Sequence, residues 1–165
     1  MMNLFGKKLG CVLLYIFLLF LNTACSKESM RISLNMTAHN HTEHGVGSHI
    51  VTLDDGSSAE AGYLAPGEGG GGITCCLSIP FVWKPGMKAT IVMDTVKGDK
   101  CIRVEKIVSI PQYTSSDASI FVVHFLHDGS HKIFVTKYSL GHRKYPLSGK
   151  EAELDPGVPL EIIWE

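Results

Sequence analysis

An all-β domain, an antiparallel β-sandwich or partly open barrel of about eight short strands, is the fold this sequence predicts beyond residue 29. Three observations predict it. Apolar and polar residues alternate with period two in several short runs, as a strand with one buried face requires. Turns rich in Gly, Pro and Asp separate those runs. No segment carries the 3.6-residue periodicity of an amphipathic helix.

The N-terminus stands apart from that pattern. Lys7 and Lys8 precede residues 9–21, which are uncharged and almost wholly apolar, and Asn22-Thr23-Ala24-Cys25 follows. Basic, apolar and small residues in that order predict a secretory signal of lipoprotein type over residues 1–24. Cleavage before Cys25 would leave its thiol to carry the lipid. Asn22 departs from the Leu, Val or Ile usual three residues before such a cysteine. The other reading is an uncleaved anchor, but the uncharged stretch 9–24 falls just short of the roughly 17–25 residues of a spanning helix. Either reading predicts a bacterial envelope address. Residues 25–29 read as a short polar tether and 30–165 as a single β-rich domain.

The chain has 165 residues and a net charge of −1 with histidines neutral. The leader holds two lysines and no acid, so its removal takes the charge to −3. No basic face of the kind that binds nucleic acid is expected. What remains is long enough for one hydrophobic core.

The strands follow in order. Residues 30–36 alternate, with Met30, Ile32, Leu34 and Met36 on one face. Residues 49–53 form a second candidate, closed by Asp54-Asp55-Gly56, and 58–63 a third. Residues 66–72 are a glycine-rich loop. Residues 73–79 alternate again: Ile73, Cys75, Leu77 and Ile79 face one way, Thr74, Cys76 and Ser78 the other. Pro80, Pro85 and Gly86 bracket Trp83 in a turn, where core packing is the expected role. Residues 88–96 and 101–110 form a hairpin across Lys97-Gly98-Asp99-Lys100. Residues 120–127 are continuously apolar until their end, as in a strand covered on both faces. Asp128-Gly129-Ser130 turns them into 132–138. Residues 139–159 read mostly as loop, and 160–164 as a last edge strand.

Several groupings bear on chemistry. Gly69-Gly70-Gly71-Gly72 leads into a strand and lacks the Lys-Ser/Thr pair of a phosphate loop, so it reads as a tight backbone passage. His39, His41, His44 and His49 lie close together, and imidazole suits zinc or copper. Gly45 and Gly47 make that segment loop-like, however, and there is no HExxH. A solvated loop is expected, with a metal-binding or envelope-maintenance lipoprotein as the alternative. No GxSxG elbow or metallohydrolase motif is present, so neither an enzyme nor a cofactor is expected.

Of the five cysteines, Cys75, Cys76 and Cys101 remain after the leader and the lipid site are set aside. An oxidising periplasm favours a bridge. By strand side, Cys76 matches Cys101. A ring between Cys75 and Cys76 would be strained, and three reduced thiols are the remaining reading.

The block Gly69-Gly70-Gly71-Gly72-Ile73-Thr74-Cys75-Cys76 with Pro80, Trp83, Pro85 and Gly86 resembles a signature of small envelope lipoproteins, the domain-of-unknown-function family numbered 3304. His41-Thr42, residues 120–125 with Asp128-Gly129, and His142, Tyr145 and Pro146 fit the same resemblance. It implies a setting near type VI secretion loci, often beside phospholipase effectors. That setting implies an immunity protein that binds and neutralises the lipase in the periplasm. Ser26, where an Asp would mark inner-membrane retention, implies the outer membrane by resemblance to enterobacterial sorting. No catalytic residue comes with the resemblance. Partner contact is expected on surface loops at 39–49, 112–119 and 142–145, with Tyr113, Arg143 and Tyr145 as anchors because aromatic and arginine side chains dominate interface energy.

Overall fold

A computed structural model describes residues 30–69, 73–97 and 100–155. The signal over 1–24, Cys25, the tether and the strand expected at 160–164 lie outside the described residues.

Among the described residues, eight strands form two sheets of four, and neither closes into a barrel. They are β1 (Arg31–Asn40), β2 (Val46–Leu53), β3 (Ser58–Ala61), β4 (Thr74–Pro80), β5 (Lys88–Lys97), β6 (Lys100–Ser109), β7 (Ile120–Phe125) and β8 (His131–Thr136). The first sheet has the order β4-β1-β7-β8 and the second β3-β2-β5-β6. Each expected run within these residues is a strand, and β1 extends beyond its predicted end to reach His39 and Asn40. Pairing is antiparallel except at the centre of the first sheet, where β1 and β7 run parallel.

The two sheets face each other across one apolar core. Leu34, Met36 and Ala38 of β1, Phe121, Val123 and Phe125 of β7, and Ile133 and Val135 of β8 meet Val51, Leu53 and Ile91 of the second sheet. These are the alternate positions of their strands, which is why period-two reading finds them. Trp83 packs at the core's edge, its indole N–H donating to the Ile110 carbonyl oxygen at 2.9 Å.

One expectation of strand phase is corrected. Leu34 pairs with Leu77, but Met36 pairs with Thr74, so β4 holds one extra residue near Cys75 and Cys76. Such a bulge reverses the face of everything beyond it. Leu77 and Ile79 are buried, whereas Ile73, Cys75 and Cys76 are exposed. At the far edge of the second sheet, Ile102 and Ile107 of β6 are exposed as well.

The predicted bridge from Cys76 to Cys101 is also corrected. A disulfide joins Cys75 to Cys76, and Cys101 is exposed and free. Sheet order supplies the reason. Strand β4 is an edge of the first sheet beside β3, while β6 is an edge of the second beside β8. Cys76 and Cys101 therefore lie at opposite ends of the sandwich.

The outer face of the first sheet is also covered, which makes β7 buried on both sides, as its apolar run interrupted by His124 suggests. Residues 137–155 cross that face with no strand, ending in a short 3-10 turn at Gly149–Ala152. Tyr145, Leu147 and Ala152 meet Val122 and Leu126 there in a second, smaller apolar cluster.

Candidate functional site: a histidine–tyrosine relay beside an apolar pocket

The inward residues of β1 and β7 belong to the main core, so the alternate ones, Asn35, Thr37 and His39 on β1 and Ile120, Val122 and His124 on β7, point to the outer face. Parallel register sets them side by side: Asn35 with Ile120, Thr37 with Val122, His39 with His124. The rings of His39 and His124 stack at 5.0 Å between centroids, 17° from parallel.

His41 completes the group from just past the end of β1. Its backbone N–H donates to the Phe125 carbonyl oxygen at 2.9 Å. Asn40, fully buried, fixes the turn around it. The Asn40 amide nitrogen donates to the carbonyl oxygens of His44 at 2.7 Å and Ala65 at 3.0 Å, and its oxygen accepts from the Thr42 N–H at 3.0 Å. An amide with both ends satisfied in this way locks a loop that carries little apolar burial.

Three hydrogen bonds then run in series. His41 Nδ1 lies 2.9 Å from the Glu153 carbonyl oxygen, His41 Nε2 lies 2.8 Å from His124 Nδ1, and His124 Nε2 lies 2.6 Å from the Tyr145 hydroxyl. Burial holds all three histidines below the ordinary imidazole range. His124 is pushed down to about 2, first by burial and then by neighbouring histidine charge. His39 is pushed down to about 4, by burial and then by His41. His41 is lowered by burial, against the pull of the Glu153 carbonyl.

Neutral imidazoles fix the direction of every bond. A carbonyl oxygen can only accept, so His41 Nδ1 carries the proton and His41 Nε2 is bare. His124 Nδ1–H therefore donates to His41 Nε2, and His124 Nε2 accepts from the Tyr145 O–H. The Tyr145 proton is thus committed inward, and burial raises its pKa further above the ordinary phenol range. The ring nitrogens of His41 and His124 are all engaged in this positioning relay, while His39 stacks on His124 with its Nδ1 unpartnered among the described residues. Among the described residues, no group of three or more His, Cys, Asp or Glu side chains is placed to hold a metal ion.

Beside the relay lies a pocket of about 300 Å³. Thr37, His39, Ile120, Val122 and Tyr145 form part of its wall, and Tyr138, Ser139 and Leu140 part of its rim. Lys137 and Lys144 place their ammonium groups 5.4 and 5.8 Å from the Tyr138 ring centroid.

The residues singled out from the sequence fall in different places. Of the expected anchors, Arg143 is exposed, while Tyr113 and Tyr145 are 7% and 5% exposed. The tyrosines are corrected as surface anchors, because the Tyr113 hydroxyl is bound to the Pro80 carbonyl oxygen and that of Tyr145 to His124. Of the four clustered histidines, His41 joins the relay, His39 stacks on its His124, His44 is exposed, and His49 sits in the main core edge-on to Phe125. His124 was not singled out from the sequence. The signal was present, since alternation along a strand covered on both faces places it with Ile120 and Val122.

Residues 39–133, more than half of the chain, match the model of a family described as a protein of unknown function, DUF3304. No curated protein and no solved structure matches the chain.

Proposed function

The chain belongs to the DUF3304 family, and we propose that it is a lipid-anchored periplasmic binding protein, an immunity protein that binds and neutralises a type VI secretion phospholipase effector. The observation that carries this reading is the outer face of β1 and β7. His41, His124 and Tyr145 are bonded to one another in the relay, while a largely apolar pocket lies open beside them with exposed Arg143 on the adjoining loop. A rigid sheet presenting a concave, largely apolar patch suits recognition. The basic, apolar and Ala24-Cys25 succession at the N-terminus supports an outer-membrane anchor facing the periplasm, where such an effector would act.

Two experiments test the reading. A phospholipase gene is expected beside this one, and co-purification of the domain with its product should give a stable complex. Protective binding calls for about 1,600 Å² or more of buried surface, and absence of a complex at micromolar concentration overturns the immunity role. Metabolic labelling with a palmitate analogue should mark the full chain and spare Cys25→Ser. Labelling that persists in the variant overturns the lipid anchor.

A further inference from the structure

Resting on the reading of this chain as a binding protein, we infer that the pocket beside the relay takes one aromatic side chain carrying an O–H or N–H donor, a tryptophan or tyrosine, from an acidic segment of the partner. Size comes first. About 300 Å³ is the lower bound of ordinary ligand pockets and is room enough for a phenol or an indole side chain. Apolar contacts come from Ile120, Val122 and Leu140, which suit a ring face.

The relay then selects the donor. Tyr145 lines the pocket, and its one proton goes to His124. That hydroxyl can therefore offer an incoming group acceptor capacity alone. A ring with a donor can use that acceptor, whereas phenylalanine cannot.

Charge selects the surroundings. Among the described residues none lining the pocket is acidic, so a lysine or arginine from the partner would meet no counter-charge from them. The rim is basic: Lys144 lies over Tyr138, and Arg143 beside it is exposed. Lys137, the other cation over Tyr138, is bound to Asp117 at 2.8 Å and contributes less. Acidic residues flanking the aromatic would meet that rim and speed encounter.

Fluorescence anisotropy of a labelled peptide, Asp-Glu-Trp-Glu-Asp with blocked ends, tests this against the folded domain. Saturable binding is expected, weakening as salt rises. Replacing Trp by Phe should weaken it fivefold or more, and Trp by Ala, or the acids by lysine, should abolish it. Ser139→Trp, at an exposed rim position, should abolish it with the melting curve unchanged. The inference is overturned if Trp and Ala peptides bind alike, if none binds at millimolar concentration, or if Ser139→Trp binds as the parent does. The effector complex separates the two proposals. A lipase complex that Ser139→Trp leaves intact removes the pocket and keeps the immunity role. Peptide binding without any lipase complex does the reverse.

Discussion

The two faces of the central strands β1 and β7 are built from different chemistry. Inward, Met36, Ala38, Phe121, Val123 and Phe125 form an apolar core whose only requirement is shape. Outward, the same strands present Thr37, His39, Val122 and His124, and the covering segment adds Tyr145 and a carbonyl oxygen from Glu153. Interchangeable hydrophobes would serve the inner face, since cores tolerate repacking at constant volume. Along the His41–His124–Tyr145 relay the outer face tolerates no such exchange, because each polar atom there depends on one partner of the right polarity. A fold needs the first kind of face; the second is a specification that stability alone does not demand.

Acid should expose that difference most strongly. The unfolded chain protonates its imidazoles below about pH 6.5, while the folded protein resists until about 4 at His39 and about 2 at His124. The unfolded state therefore binds more protons across that window, and stability rises with pH there. It is fully present above pH 6.5 and is lost as pH falls toward 4, by up to about 1.4 kcal/mol per pH unit for each histidine. His41, His49 and His131, also lowered by burial, act in the same direction. Urea midpoints between pH 7.5 and 4.5 measure the slope. His39→Leu removes a ring whose Nδ1 has no hydrogen-bond partner, so it should flatten the slope at little cost near pH 7.5. An unchanged slope in that variant would place the acid sensitivity outside the stacked pair.

Phe121→Ala addresses the inner face. Phe121 is fully buried at the centre of the core, and its truncation should cost about 3–5 kcal/mol. Leu140→Ala, half-buried over the outer cluster, should cost well under that. Equal losses in denaturant titrations would mean that the two layers act as one core.

Tyr145→Phe sharpens the contrast with a smaller effect. The ring stays, and His124 Nε2 loses its donor, leaving a buried acceptor unpaired at about 1–3 kcal/mol. Val122→Ile beside it, which changes no polar partner, should leave the urea midpoint nearly where it was. A neutral Tyr145→Phe would show that water enters the relay freely.

The inner face was legible in the sequence and the outer face was legible only in part. Period two identified Leu34, Met36, Leu77, Ile79 and the doubly buried β7, because each is a local consequence of pleat and burial. The glycine and aspartate turns located both hairpins. By contrast, the pairing of His39 with His124 depends on parallel β1–β7 register, and Tyr145 reaches His124 only because residues 137–155 double back across the sheet. Those are contacts of long sequence separation, and neither composition nor periodicity carries them. The bulge in β4 is a third case: one added residue leaves a readable alternation in the sequence and reverses which side chains are inside.

The smallest expected effect concerns the cysteines, and it follows from where the sheets put them. A bridge from Cys76 to Cys101 would have closed a loop of roughly 25 residues and stabilised the fold by about 3 kcal/mol through the unfolded state. The observed disulfide joins neighbours in sequence, Cys75 and Cys76. It closes no long loop, so it removes little entropy from the unfolded chain. Reduction should therefore shift the melting temperature by little, and far less than Phe121→Ala. In the domain lacking residues 1–25, iodoacetamide applied without reductant should modify the exposed Cys101 alone. With reductant, Cys75 and Cys76, both exposed on the β4 edge, should be modified as well. A peptide map that joined Cys101 to either of the others, together with a large fall in melting temperature on reduction, would require β4 and β6 to be neighbours. That would overturn the sheet order on which the pocket, the relay and the two-faced β7 all depend.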